Sequence, residues 1–222
     1  MRWRATTVAL LIVAVACGGD DSLDTTSSAA AAALGPAATV EALFGFLASS
    51  DFGSTAPLVD EEQLAIFTAI EGASGDEVAE MLTNGVPTEV RDDFWRGFVS
   101  SLPALLEQTA DRATVGSAQD LDAGFSAVPV GFSDSEEDAS WIVRDEGGVW
   151  VIDLFATFGP AFGPNLADWF DALADGASKD QVRAAMARGG PSLELGLEAE
   201  PLGPLGEEAA NGVRALLASV GA

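Results

Sequence analysis

Residues 139–158 read ASWIVRDEGGVWVIDLFATF, and their pattern decides the fold. Runs rich in Val, Ile and Trp stand on both sides of Glu146-Gly147-Gly148. Such runs mark strands, and a glycine-containing turn between two of them marks a hairpin. The pattern predicts a strand over Ala139–Asp145, the turn, and a second strand over Val149–Phe158. A loop of two or four residues then puts Trp141, Val143, Trp150, Ile152 and Leu154 on one face. The other face carries Ile142, Arg144, Val149, Val151 and Asp153, a mixed set expected to be partly wet. One face of the hairpin is expected to lie under helices.

Upstream, Phe125–Phe132 reads as another strand, with Val128, Val130 and Phe132 alternating. Pro129 lacks an N–H donor, which predicts an edge or a bulge there. Ala113–Gln119 is a weaker strand. Before it the period becomes helical. Val40, Leu43, Phe44 and Leu47 share a face, ending at Ser49-Ser50-Asp51-Phe52-Gly53. Asp60 and Gln63 have capping-box spacing ahead of Leu64, Phe67 and Ile70. Ser74 and Glu77 repeat that spacing ahead of Val78, Met81 and Leu82, with Asn84-Gly85 as the stop. Thr88 opens the longest helix, with a stripe of Val90, Phe94, Phe98, Leu102, Leu105 and Leu106 and a kink before Pro103.

Downstream, Gly159-Pro160 and Gly163-Pro164 read as breaks. Leu166, Trp169, Phe170 and Leu173 form a short helical stripe, and Ser178 and Gln181 are expected to cap a helix carrying Val182 and Met186. After Gly189-Gly190-Pro191, Leu193, Leu195 and Leu197 alternate like a short strand. A last helix from about Gly206 carries Val213, Leu216, Leu217 and Val220. The order predicts an α+β fold: N-terminal helices packed on a curved antiparallel sheet, with extra C-terminal helices.

Composition narrows the function classes. The 222 residues include 48% hydrophobic and 20% charged residues, enough apolar matter for a core. Ten Lys+Arg stand against 35 Asp+Glu, a net charge of −25, so the clustered cations that nucleic acid requires are lacking. Histidine and tyrosine are absent and there is one cysteine, which excludes internal disulfides, His/Cys zinc sites, Ser-His-Asp triads and Cys-His dyads.

That cysteine is Cys17. Residues 1–17 read MRWRATTVALLIVAVAC: Arg2 and Arg4 make a positive start, and Ala5 to Ala16 make an uncharged run too short to span a bilayer. Residues 1–16 therefore read as a signal peptide. Ala14-Val15-Ala16-Cys17 resembles a bacterial lipobox, with Ala14 where most lipoboxes have Leu. The resemblance implies that the Cys17 thiol receives a diacylglyceryl group and the new amino terminus an acyl chain such as palmitate. Two or more chains anchor a protein stably. An ordinary Ala-x-Ala cleavage would instead leave a secreted protein with a free thiol. Loss of Arg2 and Arg4 leaves 8 basic against 35 acidic residues, or −27. Residues 17–38, rich in Ala, Thr and Ser, read as a flexible tether between the anchor and the head.

Val40–Val59, a helix ending Ser-Asp-Phe-Gly before Ala56-Pro57-Leu58-Val59, resembles the opening of NTF2-like domains, and Trp141–Phe155 resembles their long central strands. The likeness covers residues 39–158 and leaves 159–222 as a C-terminal helical extension. It implies a sheet curled into a half-cone whose concave face lines a pocket, with Trp95, Phe98, Trp141, Trp150 and Ile152 as walls. The same residues would serve equally as plain core.

Catalytic chemistry finds little support. Some NTF2-like enzymes pair a carboxylate base with a tyrosine, but this chain has no tyrosine, and parity puts Asp153 opposite the apolar face. Asp120-x-Asp122-x-Gly124 lacks the further ligands of a calcium loop, and Asp134-Ser135-Glu136-Glu137-Asp138 reads as a solvated turn. Gly72-Ala73-Ser74-Gly75 lacks the lysine of a phosphate loop. The expectation is a non-catalytic, membrane-anchored extracytoplasmic lipoprotein without metal or cofactor, binding a small apolar ligand or an envelope protein. The alternatives are an interaction subunit without a pocket and a carboxylate-dependent hydrolase or isomerase.

Overall fold

The computed structural model describes residues 34–106, 110–132, 139–199 and 206–221; Cys17, the signal segment and the acidic run 134–138 lie outside them, as do the side chains of residues 102–106. Helix α1 (Pro36–Ser49) starts within the stretch read as tether and buries Val40, Leu43, Phe44 and Leu47. A 3-10 segment (Phe52–Leu58) leads to α2 (Glu61–Phe67). Helix α3 (Gly75–Asn84) begins with a complete capping box between Ser74 and Glu77 and ends at Gly85, φ 84°. Helix α4 spans Thr88–Leu106.

The sheet follows: β1 (Ala113–Val115), β2 (Gln119–Asp120), β3 (Phe125–Phe132), β4 (Ala139–Asp145) and β5 (Trp150–Ile152). It is antiparallel and curled, in the order β1-β3-β4-β5, with β2 also on β3. The hairpin register pairs Val143 with Ile152, the face parity expected. Pro129 is in a central strand rather than at an edge, because the partner strand is interrupted instead. The Pro129 carbonyl accepts from Gly116 N–H at 2.8 Å, so its donorless nitrogen faces the gap between β1 and β2. No ladder bond is lost there.

The second hairpin strand ends at Ile152, not at Phe158. Asp153 is the N-cap of α5 (Leu154–Ala172), its side chain accepting from Ala156 N–H, and this capping bond turns the chain into a helix. Pro160 and Pro164, expected to break the chain, lie inside α5. Pro160 deprives the Ala156 carbonyl of its helical donor, and Gly196 of α7 (Gly190–Ala199) fills the approach: a Cβ on it would stand 2.7 Å from that oxygen. A Cβ on Gly163 would lie 2.3 Å from Val213 Cγ2 of α8 (Glu207–Val220), and one on Gly212 would lie 2.5 Å from the Pro164 ring. Glycines thus let α7 and α8 sit directly on α5.

Two further expectations are corrected. Leu193, Leu195 and Leu197 belong to α7, because Pro191 in its first turn needs no donor and favours a helix start. Ser178 and Gln181 do not cap α6 (Ala177–Arg188), whose N-cap is Gly176. Ser178 instead donates to Asp76, and Gln181 donates to the Ala79 carbonyl and to Thr83 Oγ1, binding α6 to α3.

Both faces of the sheet carry buried residues. One face joins the main core, which runs without a break from Val40 to Val220. On the face expected to be partly wet, Arg144 and Val149 are half-exposed while Ile142, Val151 and Asp153 are buried; Phe125, Ile142 and Ala156 cluster there, joined by Leu195 and Ala199 of α7. Of the helices before the sheet, α1 lies along β1, β3, β4 and β5, while α2 and α3 pack on α6. The expected arrangement, N-terminal helices as the cover and C-terminal helices as an addition, is thus corrected: the helices after the sheet supply much of the cover. The expected boundary after Phe158 falls inside α5.

Gly163→Ala must displace both Val213 and its backbone and is expected to lower stability by about 1–3 kcal/mol. Gly45→Ala, exposed on α1 with nothing within 4 Å of a new Cβ, should raise it by about 0.5–1 kcal/mol. Urea unfolding of the two variants beside the parent checks both signs.

Candidate functional site

The side chains expected to line a pocket pack on one another. Trp141 is edge-on to Phe44 (5.0 Å between centroids), Phe158 (5.1 Å) and Phe98 (5.9 Å), and Phe98 is edge-on to Trp95 (5.6 Å). Trp95, Trp141 and Ile152 are buried. Phe98 is partly buried against the same core. Trp150 stands apart at the start of β5, half-buried, its carbonyl 3.5 Å from Thr39 Oγ1. Such edge-to-face packing adds about 0.5–1.5 kcal/mol per pair beyond burial. The Trp95 indole N–H has no acceptor.

The main polar assembly lies elsewhere, at the amino end of α2. Asp60 Oδ1 accepts from Gln63 N–H, and Oδ2 pairs with Arg144 of β4 at 2.5 Å. Glu61 Oε1 pairs with Arg91 of α4 at 2.8 Å and accepts from Val86 N–H. Glu62 takes a bidentate contact from Arg188, the last residue of α6, at 2.9 and 3.2 Å. Gln63 does not complete a capping box; its Oε1 accepts from Phe155 N–H at 3.0 Å and caps α5 instead.

Arg144 joins two capped helices. Beyond Asp60 it reaches Glu146 at 2.7 Å and stands 3.4 Å from Oδ2 of fully buried Asp153. The last contact is an ion pair at a distance and angle that make no hydrogen bond, since Arg144 Nε has none. Asp153 Oδ1 accepts from Ala156 N–H at 2.9 Å, and Oδ2 accepts from Ser192 Oγ at 2.7 Å. The one carboxylate weighed as a catalytic base is therefore committed to a helix cap, a hydroxyl and a guanidinium.

Two open clefts flank this assembly and share Glu61. One, about 670 Å3, is lined by Asp60, Gln63, Arg144, Glu146, Arg188 and Ser192 among others. The second, about 820 Å3, lies between α3 and the start of α4; Glu61, Glu71, Glu77 and Glu80 face Met81, Val86 and Val90, with no Lys or Arg in its wall. Neither cleft is lined by Trp95, Phe98, Trp141, Trp150 or Ile152. Burial pushes the Asp60 carboxyl above its ordinary value; the Gln63 N–H and Arg144 pull it down, and Asp153 and Glu146 push it further up. Burial, then the Asp93 charge, raises Glu71. Hydrogen bonds from Ser74 lower Glu77. Among the described residues no group of three or more His, Cys, Asp or Glu could hold a metal ion.

Sequence reasoning missed Arg91, Arg144 and Arg188 as partners of 60–62. The available signal was an arginine at a core-facing position: Arg91 directly precedes the Phe94-Trp95 turn of α4 and is itself buried. Compared with protein families, curated proteins and solved structures, the chain matches none.

Arg144→Met leaves buried Asp153 without its cation and is expected to cost about 3 kcal/mol in urea unfolding. Arg188→Met breaks a pair that is about half exposed on both sides and should cost less than about 1 kcal/mol. The pH dependence has a definite sign. Groups with raised folded values, here Asp60 and Glu71, contribute stability that is complete below their ordinary values of 3.8 and 4.5. That contribution is lost as pH rises through the raised values. The contribution of these two groups to the urea midpoint should therefore increase as pH falls from neutrality towards their ordinary values, and Glu71→Gln should flatten part of the rise.

Proposed function

We propose that the chain is a non-catalytic lipoprotein, held on the outer side of the cell membrane through Cys17, whose head binds an envelope protein through its surface. The observation that carries the anchor is the place of the only cysteine, directly after an uncharged segment and Ala14-Val15-Ala16. An acidic body held this way is repelled by anionic headgroups and stands off the bilayer. No helix among the described residues is long and apolar enough to cross a membrane.

A protein partner is favoured over a small apolar ligand because three of the side chains that would wall a pocket, Trp95, Phe98 and Trp141, are in contact with each other or with further core phenylalanines. A non-catalytic role is favoured because Asp60, Asp153 and Ser192 are engaged in caps and pairs. We also read residues 39–158 as an NTF2-like variant. Support comes from the order of α1, the 3-10 segment, further helices and a curled antiparallel sheet; α5, running through residue 158, departs from that pattern.

Mass spectrometry of the chain extracted from membranes of its native cell tests the anchor. The expected result is a mature amino terminus at Cys17 carrying diacylglyceryl and acyl groups, and a Cys17→Ala variant that leaves the detergent phase. An unmodified thiol, or a variant that partitions like the parent, overturns the anchoring. A stoichiometric apolar molecule in the native mass spectrum would favour ligand binding instead.

A further inference from the structure

The chain contains Asn-Gly twice, and the structure sets the two copies in opposite situations. Asn84-Gly85 closes α3, whereas Asn211-Gly212 lies inside α8. Both asparagines are exposed. We infer that Asn84 is a site of spontaneous conversion to aspartate and isoaspartate in the folded protein, and that Asn211 is protected by its helix. The inference stands apart from the anchoring.

The chemistry needs only water. The backbone nitrogen of the glycine attacks Cγ of the asparagine; the N–Cγ bond forms, the Cγ–Nδ2 bond breaks, and ammonia leaves with the glycine N–H proton. Water then opens the cyclic imide at Cγ, giving aspartate with its carboxylate where the amide was, or at the backbone carbonyl, giving isoaspartate with the chain continued through Cγ and the former backbone carbonyl as the free carboxylate. A following glycine has no Cβ to crowd the ring. The step requires the asparagine to leave helical ψ and the glycine N–H to give up its hydrogen bond.

At residue 85 the cost is that of a helix end. The Gly85 N–H holds one bond, to the Met81 carbonyl at 2.9 Å. The glycine already sits outside the helix at φ 84°, ψ 162°. Terminal turns open at small free energy. At residue 212 the same movement breaks an interior turn and lifts the backbone off α5, where a Cβ would stand 2.8 Å from Pro164 N and Cα. The Asn211 amide is also held, Oδ1 accepting from Arg214 at 3.1 Å. Conversion at Asn84 adds a carboxylate to a cleft wall that already bears Glu61, Glu77 and Glu80.

The test is incubation of the purified full chain in mildly alkaline buffer, followed by peptide mass spectrometry that reads each site separately, with a guanidinium-unfolded sample in parallel. In the folded chain Asn84 is expected to convert at least about tenfold faster than Asn211, with the two rates converging when unfolded. Equal rates in the folded chain overturn the inference. So does an unchanged Asn84 over a period in which the unfolded chain converts at both sites.

Discussion

Asp60, Glu61, Glu62 and Gln63 stand in line at the amino end of α2, and each side chain reaches a different part of the molecule: β4 through Arg144, α4 through Arg91, α6 through Arg188, and the first turn of α5 through the Phe155 N–H. Carboxylates are favoured at that end of a helix by its dipole, so the run satisfies local and distant demands with the same charges. The four contacts differ in weight. The Glu62–Arg188 pair is open to water and contributes little. The Asp60–Arg144 pair is largely withdrawn from it, and behind Arg144 lies Asp153, which among the described residues has no other cation within ion-pair distance. One guanidinium thus neutralises the N-caps of two helices that both start beside β5.

That joint lets helices pack on both faces of the five-stranded sheet. The strand-to-helix corner at Asp153 brings α5 back beneath β4, and Thr157 Oγ1 accepts from the Ile142 N–H there at 3.0 Å. Helix α5 then offers a surface of small residues, and α7 and α8 approach it where their own glycines face prolines and carbonyls. Close approach of this kind is unforgiving, because packed interiors have few voids to absorb an added methyl. Capping at the start of α5 and shape along its length therefore act together: the cap sets where the helix begins, and so which residues meet Gly196 and Gly212.

Features decided within a few residues were legible in the sequence. Ser74-Glu77, the strand Phe125–Phe132 and the hairpin register follow from local chemistry and alternation. The reading failed where two periods fit equally well. Val149-Trp150-Val151-Ile152 is a strand-like run that continues past Asp153 into Leu154-Phe155, yet Leu154, Phe155 and Phe158 suit a helix face too, and only the capping bond of Asp153 decides. Gly-Pro pairs look like breaks until the helices that press on them are known. The candidate site was harder. Periodicity identified Trp95, Trp141 and Ile152 as inward-facing, but inward-facing side chains line a cavity or fill one according to what stands opposite. The arginine partners of residues 60–62 lie 30, 84 and 126 positions away, beyond the reach of any window.

The same scarcity of cations shapes what the surface can offer. Arg91, Arg144 and Arg188 are spent on α2, while Lys179 and Arg183 stand over the Phe170 ring and pair with Asp175 and Asp180. Carboxylates such as Glu71 and Glu80 are left facing the larger cleft with no basic residue in its wall. Burial and Asp93 already strain the charge on Glu71, so added negative charge in that region costs more than it would on open surface. A catalytic base would need a carboxylate that is buried and uncommitted: Asp153 is buried and committed, Glu80 is exposed and free, and among the described carboxylates only Asp92 has an oxygen, Oδ1, that is buried without a hydrogen bond. The commitment of Asp153 to a cap, a hydroxyl and a guanidinium is what supports the proposal of a head that works by contact.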